Sequence, residues 1–125
     1  MKILECVHCK SQAMLIEEAG VPLICCGEAM REIEAGVIEA ATEKHIPVVT
    51  IDAGLARVTV GEVLHPMIET HYIQWILFCQ GKKVQLVKLS PEDAPEAAFS
   101  AETGEYTAYA YCNLHGLWKS GGQAT

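Results

Sequence analysis

This chain has no apolar run as long as a membrane span requires. It opens Met1-Lys2-Ile3-Leu4-Glu5-Cys6, with no apolar stretch leading to a small-residue cleavage site. The expected location is therefore the cytoplasm. Positive charge is scarce: 9 Lys and Arg stand against 16 Asp and Glu, a formal net charge of −7. Phosphate binding needs clustered cations, so neither nucleic acid nor a membrane is an expected partner. An anionic substrate would have to be drawn in by a local positive charge. Heptads, constant-period repeats and low-complexity tracts are also lacking.

What is present is 125 residues, half of them apolar. That is enough for one ordinary domain, or a small one joined to a very small one. Cys6-x-x-Cys9 is followed by the adjacent pair Cys25-Cys26. In a cytoplasmic protein this pattern is a metal clip rather than a disulfide framework. Residues 14–16 and 21–24 read as two short strands around a turn at Gly20. So small a unit cannot bury enough surface to fold without a metal, disulfides or a partner. Four thiolates suit a tetrahedral site. One peptide unit holds the Cα atoms of Cys25 and Cys26 about 3.8 Å apart, which implies distorted bond angles at a shared metal. Spacing alone also allows a structural zinc clip. His8 reads as a surface residue, and Cys79, in an apolar strand, as a buried small hydrophobe.

Residues 33–42 place Ile33, Val37, Ile38 and Ala41 as on one helical face, and read as a linker with at most a turn or two of helix. From Pro47 the signals are β. Residues 48–51 lead through Ala53-Gly54 to 56–60, and 72–79 close at Gly81-Lys82 before 84–89. Pro91 and Pro95 bracket a loop, and Thr103-Gly104 separates 97–101 from 105–111. Six or seven short strands at this spacing predict an antiparallel β-sandwich. Residues 121–125 read as a frayed tail.

His45, His65, His71, His115 and Cys112 offer up to five further ligands. A thiolate with several imidazoles suits iron, copper or zinc, not magnesium or calcium. Taken singly, each histidine reads as an ordinary core or surface residue; together, in compact motifs, they point to a metal. Five donors exceed the four of structural zinc and leave one position open on a six-coordinate ion. Pro66 restricts His65 to extended geometry, and Pro47 stiffens the approach to His45. Glu43 and Lys44 are either a solvated charge pair or an anion and a cation beside the open metal face.

On these motifs the chain resembles the desulfoferrodoxin family, the two-iron superoxide reductases, over nearly its whole length. Cys6-x-x-Cys9 with Cys25-Cys26-Gly27-Glu28-x-Met30 is similar to the desulforedoxin module. Glu43-Lys44-His45-x-Pro47, Gly61-Glu62-Val63-x-His65-Pro66-Met67, His71-Tyr72-Ile73-x-Trp75-Ile76 and Tyr111-Cys112-Asn113-Leu114-His115-Gly116-Leu117-Trp118 are similar to the catalytic module. Two positions depart from the pattern. Lys10 stands where the family often has a glycine, a position suited to positive φ, and Ala29 stands where proline is common.

The resemblance implies an all-β chain: a desulforedoxin-like metal module over residues 1–36, then an immunoglobulin-like β-sandwich over 37–125. It implies two irons per chain, one held by Cys6, Cys9, Cys25 and Cys26. The other is held by His45, His65, His71 and His115, with Cys112 axial and opposite an open position. It implies one-electron reduction of superoxide to hydrogen peroxide without oxygen release. Lys44 would attract superoxide and Glu43 would bind the oxidised iron. A homodimer and a small electron donor such as rubredoxin are implied partners. The role of the four-cysteine iron stays open between electron relay and dimer support. The competing readings are a zinc-stabilised β-sandwich for binding or electron transfer, and superoxide dismutation.

Overall fold

A computed structural model describes residues 2–36 and 44–125. It divides into two units, Met1–Glu34 and Ala35–Thr125. All regular elements of the described residues are strands, and none is a helix long and apolar enough to cross a membrane.

In the first unit, β1 (Lys2–Glu5) pairs antiparallel with β2 (Gln12–Leu15) and with β5 (Arg31–Glu32). β3 (Ile24–Cys25) pairs with β4 (Glu28–Ala29). This corrects the hairpin expected around Gly20. The partner of β2 is β1, because the loop between them closes tightly: Cys6 N–H donates to Ser11 O at 2.9 Å and Lys10 N–H to Cys6 O at 3.2 Å. A single strand-length of apolar residues on either side of Gly20 could not reveal a partner placed before the first cysteine.

The second unit is a two-sheet sandwich. One sheet has the order β10-β7-β6, from β6 (Pro47–Asp52), β7 (Leu55–Val60) and β10 (Glu96–Ser100). The other has the order β12-β11-β8-β9, from β8 (Ile73–Gln80), β9 (Lys83–Lys88), β11 (Gly104–Cys112) and β12 (Gly116–Ala124). All pairings are antiparallel. The β6–β7 hairpin turns on Ala53 and Gly54, both at positive φ (50° and 78°), as a two-residue turn matched to strand twist requires.

Side-chain alternation builds the core. Ala56, Val58 and Val60 of β7 point inward and meet Ile76 and Phe78 of β8 and Ala108, Ala110 and Cys112 of β11. Phe78 stacks on Phe99 from the opposite sheet at 5.6 Å and on Tyr106 at 5.5 Å. Burying a side chain such as Phe78 contributes about 1.5–3 kcal/mol. The core therefore ends in a cysteine, and Cys112 is completely buried at the rim.

Residues 121–125 are not a frayed tail. β12 runs to Ala124, paired with Gly104, and Ala124 is buried. The glycines that suggested disorder serve packing: a Cβ on Gly122 would stand 2.4 Å from Tyr106 Oη. The linker expected over 33–42 is not helical where it is described. Gly36 makes an isolated bridge to Trp118, and residues 37–42 lie outside the described residues.

Candidate metal centres

Cys6, Cys9, Cys25 and Cys26 bring their sulfurs within 4.8 Å of one another. Cys9 Sγ and Cys25 Sγ are 3.7 Å apart. Metal–sulfur bonds of about 2.3 Å at tetrahedral angles give an edge of about 3.8 Å, so the spacing fits a four-thiolate ion. The adjacent pair reaches one point through the backbone, not through side-chain distortion alone: Cys26 has φ 52°. The left-handed region costs a non-glycine residue about 1–2 kcal/mol, strain that a metal can offset. Lys10 is also left-handed, at φ 66°. That is the conformation a glycine would adopt without strain.

The N–H groups of His8 and Cys9 both donate to Cys6 Sγ at 3.4 Å. They hold the Cys6 thiol below its ordinary value, Cys9 contributing most. The Ser11 hydroxyl, 3.1 Å from Cys9 Sγ, draws that thiol down to about 6. Cys25 is pushed up to about 12, first by Cys6 and then by Cys9, as neighbouring thiols compete for charge. Four sulfurs that cannot all ionise alone will do so around a cation. His8 is exposed and pairs with Glu28 at 2.9 Å, outside the ligand set.

The second cluster is His45, His65, His71, His115 and Cys112, again with donor atoms within 4.8 Å of one another. The imidazoles form a closed square. Ring centroids of His45–His65, His65–His71, His71–His115 and His115–His45 are 4.9, 4.6, 5.1 and 4.8 Å apart, with planes 63–80° from one another. His45 Nε2 and His115 Nδ1 are 3.1 Å apart. Two nitrogens bound at right angles, each about 2.1 Å from a metal, would be about 3.0 Å apart. Cys112 Sγ approaches His115 Nδ1 to 3.7 Å from the core side.

Each histidine is delivered differently. His45 precedes β6, where Gly61 N–H donates to Ile46 O at 3.1 Å. Gly61 has φ 85° and touches the Lys44 backbone so closely that a Cβ would sit 2.6 Å from Lys44 O. Only glycine allows that approach. His65 donates Nδ1–H to its own neighbour Pro66 O at 2.7 Å, which leaves Nε2 as the lone-pair nitrogen. Cys112 ends β11, and His115 closes the three-residue turn that leads to β12; the β8–β11 register shifts next to Cys112.

Burial disfavours the charged form of His65 and His71. Burial lowers His65 to about 4, and lowers His71 with help from His115, His45 and the Lys44 ammonium. The last contribution places the Lys44 charge near the cluster. His65 Nε2 and His71 Nε2 are buried with no hydrogen-bond partner among the described residues. Buried polar atoms of this kind are costly unless something binds them. Two unpartnered ring nitrogens in a square of imidazoles, beside a thiol, fit a metal ion. Glu43, expected beside the open face, lies outside the described residues. The chain order did not suggest Asn113 as a participant, yet its amide bonds Tyr72 N–H and Thr70 O on either side of His71.

The sequence profile of the desulfoferrodoxin family matches residues 37–121. The chain is 42% identical over 120 residues to a desulfoferrodoxin of Nitratidesulfovibrio vulgaris, covering 95% of this chain and 94% of that one. It is 37% identical over 121 residues to a desulfoferrodoxin homolog of Archaeoglobus fulgidus, covering 97% of each. The superoxide reductase structure from Treponema pallidum superposes with a TM-score of 0.75 at 36% identity, covering 95% of this chain and 96% of that one. A one-iron superoxide reductase from Giardia intestinalis matches 66% of this chain and 99% of its own length, with a TM-score of 0.57 and 25% identity.

Proposed function

This chain belongs to the desulfoferrodoxin family, and from that premise we propose that it is a superoxide reductase. The observation that carries this reading is the closed square of four imidazoles with the Cys112 thiol on its buried side. Five donors are more than a structural zinc site uses, and on a six-coordinate ion they would leave one position for a small molecule. The reaction adds one electron and two protons to superoxide and yields hydrogen peroxide, with no oxygen released.

His45, His65, His71, His115 and Cys112 would hold an iron that, when reduced, would supply the electron. The chain's own residues do the rest. Cys112, ionised, donates electron density from the core side, and the imidazoles bind as neutral σ-donors. The Lys44 ammonium attracts the superoxide anion against the −7 charge of the whole molecule, and holds water for proton delivery. Glu43, two residues before His45, supplies a carboxylate for the oxidised iron. Cys6, Cys9, Cys25 and Cys26 hold the second iron.

The electron donor in this reading is a small one-electron carrier protein such as rubredoxin. The chain works as a homodimer, a reading supported by exposed Ile16, Val21 and Ile24 in the small first unit. It acts in the cytoplasm, where superoxide and reduced carriers meet. Reduced protein given superoxide should form peroxide and evolve no oxygen. Oxygen release at half the superoxide consumed would make it a dismutase instead.

A further inference from the structure

Asn113 and Trp118 lie at the same β11–β12 hairpin end as Cys112 and His115, yet neither belongs to the ligand set. Asn113 makes three hydrogen bonds to the residues flanking His71. Its backbone N–H donates to Tyr72 O at 3.2 Å. Its Oδ1 accepts from Tyr72 N–H at 2.9 Å, and its Nδ2 donates to Thr70 O at 3.1 Å. A carboxamide carries a donor and an acceptor on one planar group, so it can clamp a C=O and an N–H on the two sides of a single residue. His71 needs that support, because its buried Nε2 has no hydrogen bond to aim it.

Trp118 acts on a different ring. Its indole stacks on His45 at 5.1 Å and 20°. Its Nε1–H donates to His115 O at 3.1 Å, so the same side chain touches two ligand residues. Gly36 makes room for it: a Cβ there would stand 2.7 Å from the ring. Gly36 is seated by its N–H to Leu117 O at 2.8 Å and by Lys119 N–H to Gly36 O at 2.9 Å.

We infer that the β11–β12 hairpin end, Cys112–Trp118, is the template of the iron centre, in which Asn113 and Trp118 are positioning residues that set His71 and His45 against Cys112 and His115. The physical need is clear. Ligands from distant segments must be held to roughly 0.5 Å, and a ring is held only if neighbours fix its torsions. One hairpin end that supplies two ligands and the contacts fixing two more ties four of the five together. His65 stands apart, oriented by its own bond to Pro66. This inference rests on the reading of the cluster as an iron centre.

The test uses the full chain with both irons, comparing wild type with Asn113→Ala, Asn113→Asp, Trp118→Leu and Trp118→Phe. Iron loss from the reduced protein to a chelator is followed at fixed pH. Asn113→Ala and Trp118→Leu should lose the histidine-bound iron roughly ten- to hundredfold faster, as removal of a ligand's supporting partner does. Asn113→Asp keeps the acceptor for Tyr72 N–H, and Trp118→Phe keeps a stacking face, so both should fall between. Amide-exchange protection across β8 and β11 should be unchanged, and so should the four-thiolate iron. Iron retention equal to wild type in both truncations overturns the inference. So does a matching loss of β8 and β11 protection, which would mark ordinary scaffold support. If Asn113→Ala does not fold, the Asp and Phe variants decide by the same criteria. A wild-type chain that takes up no iron at this cluster overturns the iron reading as well, whereas wild-type uptake with indifferent variants overturns this inference alone.

Discussion

His45 Nε2 and His115 Nδ1 stand 3.1 Å apart although 70 residues separate them in the chain. The first lies ahead of β6 and the second in the β11–β12 turn. A shared metal would account for that spacing, since two nitrogens bound at right angles about 2.1 Å from an ion stand about 3.0 Å apart. The four-thiolate cluster uses none of these residues, and the two sets fall in different units of the chain.

Separate ligand sets should give separable metals. Cys9→Ser should remove or damage the four-thiolate iron while the histidine-bound iron stays. Iron content with the visible spectrum in both redox states checks this. A folded variant that has lost both metals would contradict the division.

Lys44 is the local cation near the histidine square, felt at His71. Lys44→Ala should slow the reaction with superoxide roughly tenfold, about 1.4 kcal/mol in the barrier. The wild-type rate should fall with added salt, since the Debye length is about 8 Å at physiological ionic strength, and the variant's should fall less. Arg should recover part of the rate, because it keeps charge and changes placement. Stopped-flow rates across ionic strengths decide it; equal rates at low salt would leave Lys44 a solvated surface charge.

Glu43 is proposed as a ligand of the oxidised iron. Glu43→Ala should alter the ferric absorption spectrum and leave the second-order rate with superoxide within a few-fold. An unchanged ferric spectrum across pH would remove the ligand role.

Acid should destabilise the iron-free fold through His65. Burial depresses its pKa in the folded chain to about 4, from an ordinary 6.5. The unfolded chain therefore binds the extra proton first. The stability due to neutral His65 is present in full above pH 6.5 and is lost progressively as pH falls towards 4. Denaturant midpoints between those limits should drop with pH, and His65→Gln should flatten the slope. A wild-type midpoint that does not change through this window would show that His65 titrates normally.

Gly122 is required by Tyr106. An added Cβ would meet the phenol oxygen at 2.4 Å, and the Tyr106 ring is held against Phe78. Gly122→Ala should cost about 1–3 kcal/mol, the usual range for overpacking. Tyr106→Phe in the same chain should recover part of it by removing the oxygen. A denaturant midpoint equal to wild type in Gly122→Ala would mean the ring yields freely.

Periodicity made β7, β8 and β11 readable, because inward and outward residues alternate or, in β8, are buried on both faces. Both ligand sets were readable for a chemical reason: few residue types bind soft metals, and here they cluster in short motifs. The strands missed were those whose evidence is not local. β1 has no turn signal ahead of it, and its partners come from β2 and β5. β12 ends in glycines that look like a tail until Tyr106 is seen lying against them.

The sequence by itself determined the donor atoms, their two groupings and the β class, since side-chain chemistry and alternation are properties of the chain. Only the tertiary structure decided the cyclic order of the four imidazoles, the buried side from which Cys112 approaches, the bonds of Asn113 to the backbone on either side of His71, and the stacking of Trp118 on His45. Those depend on which loops the two sheets bring to one end of the core. Packing between distant strands sets that arrangement, and no local pattern encodes it.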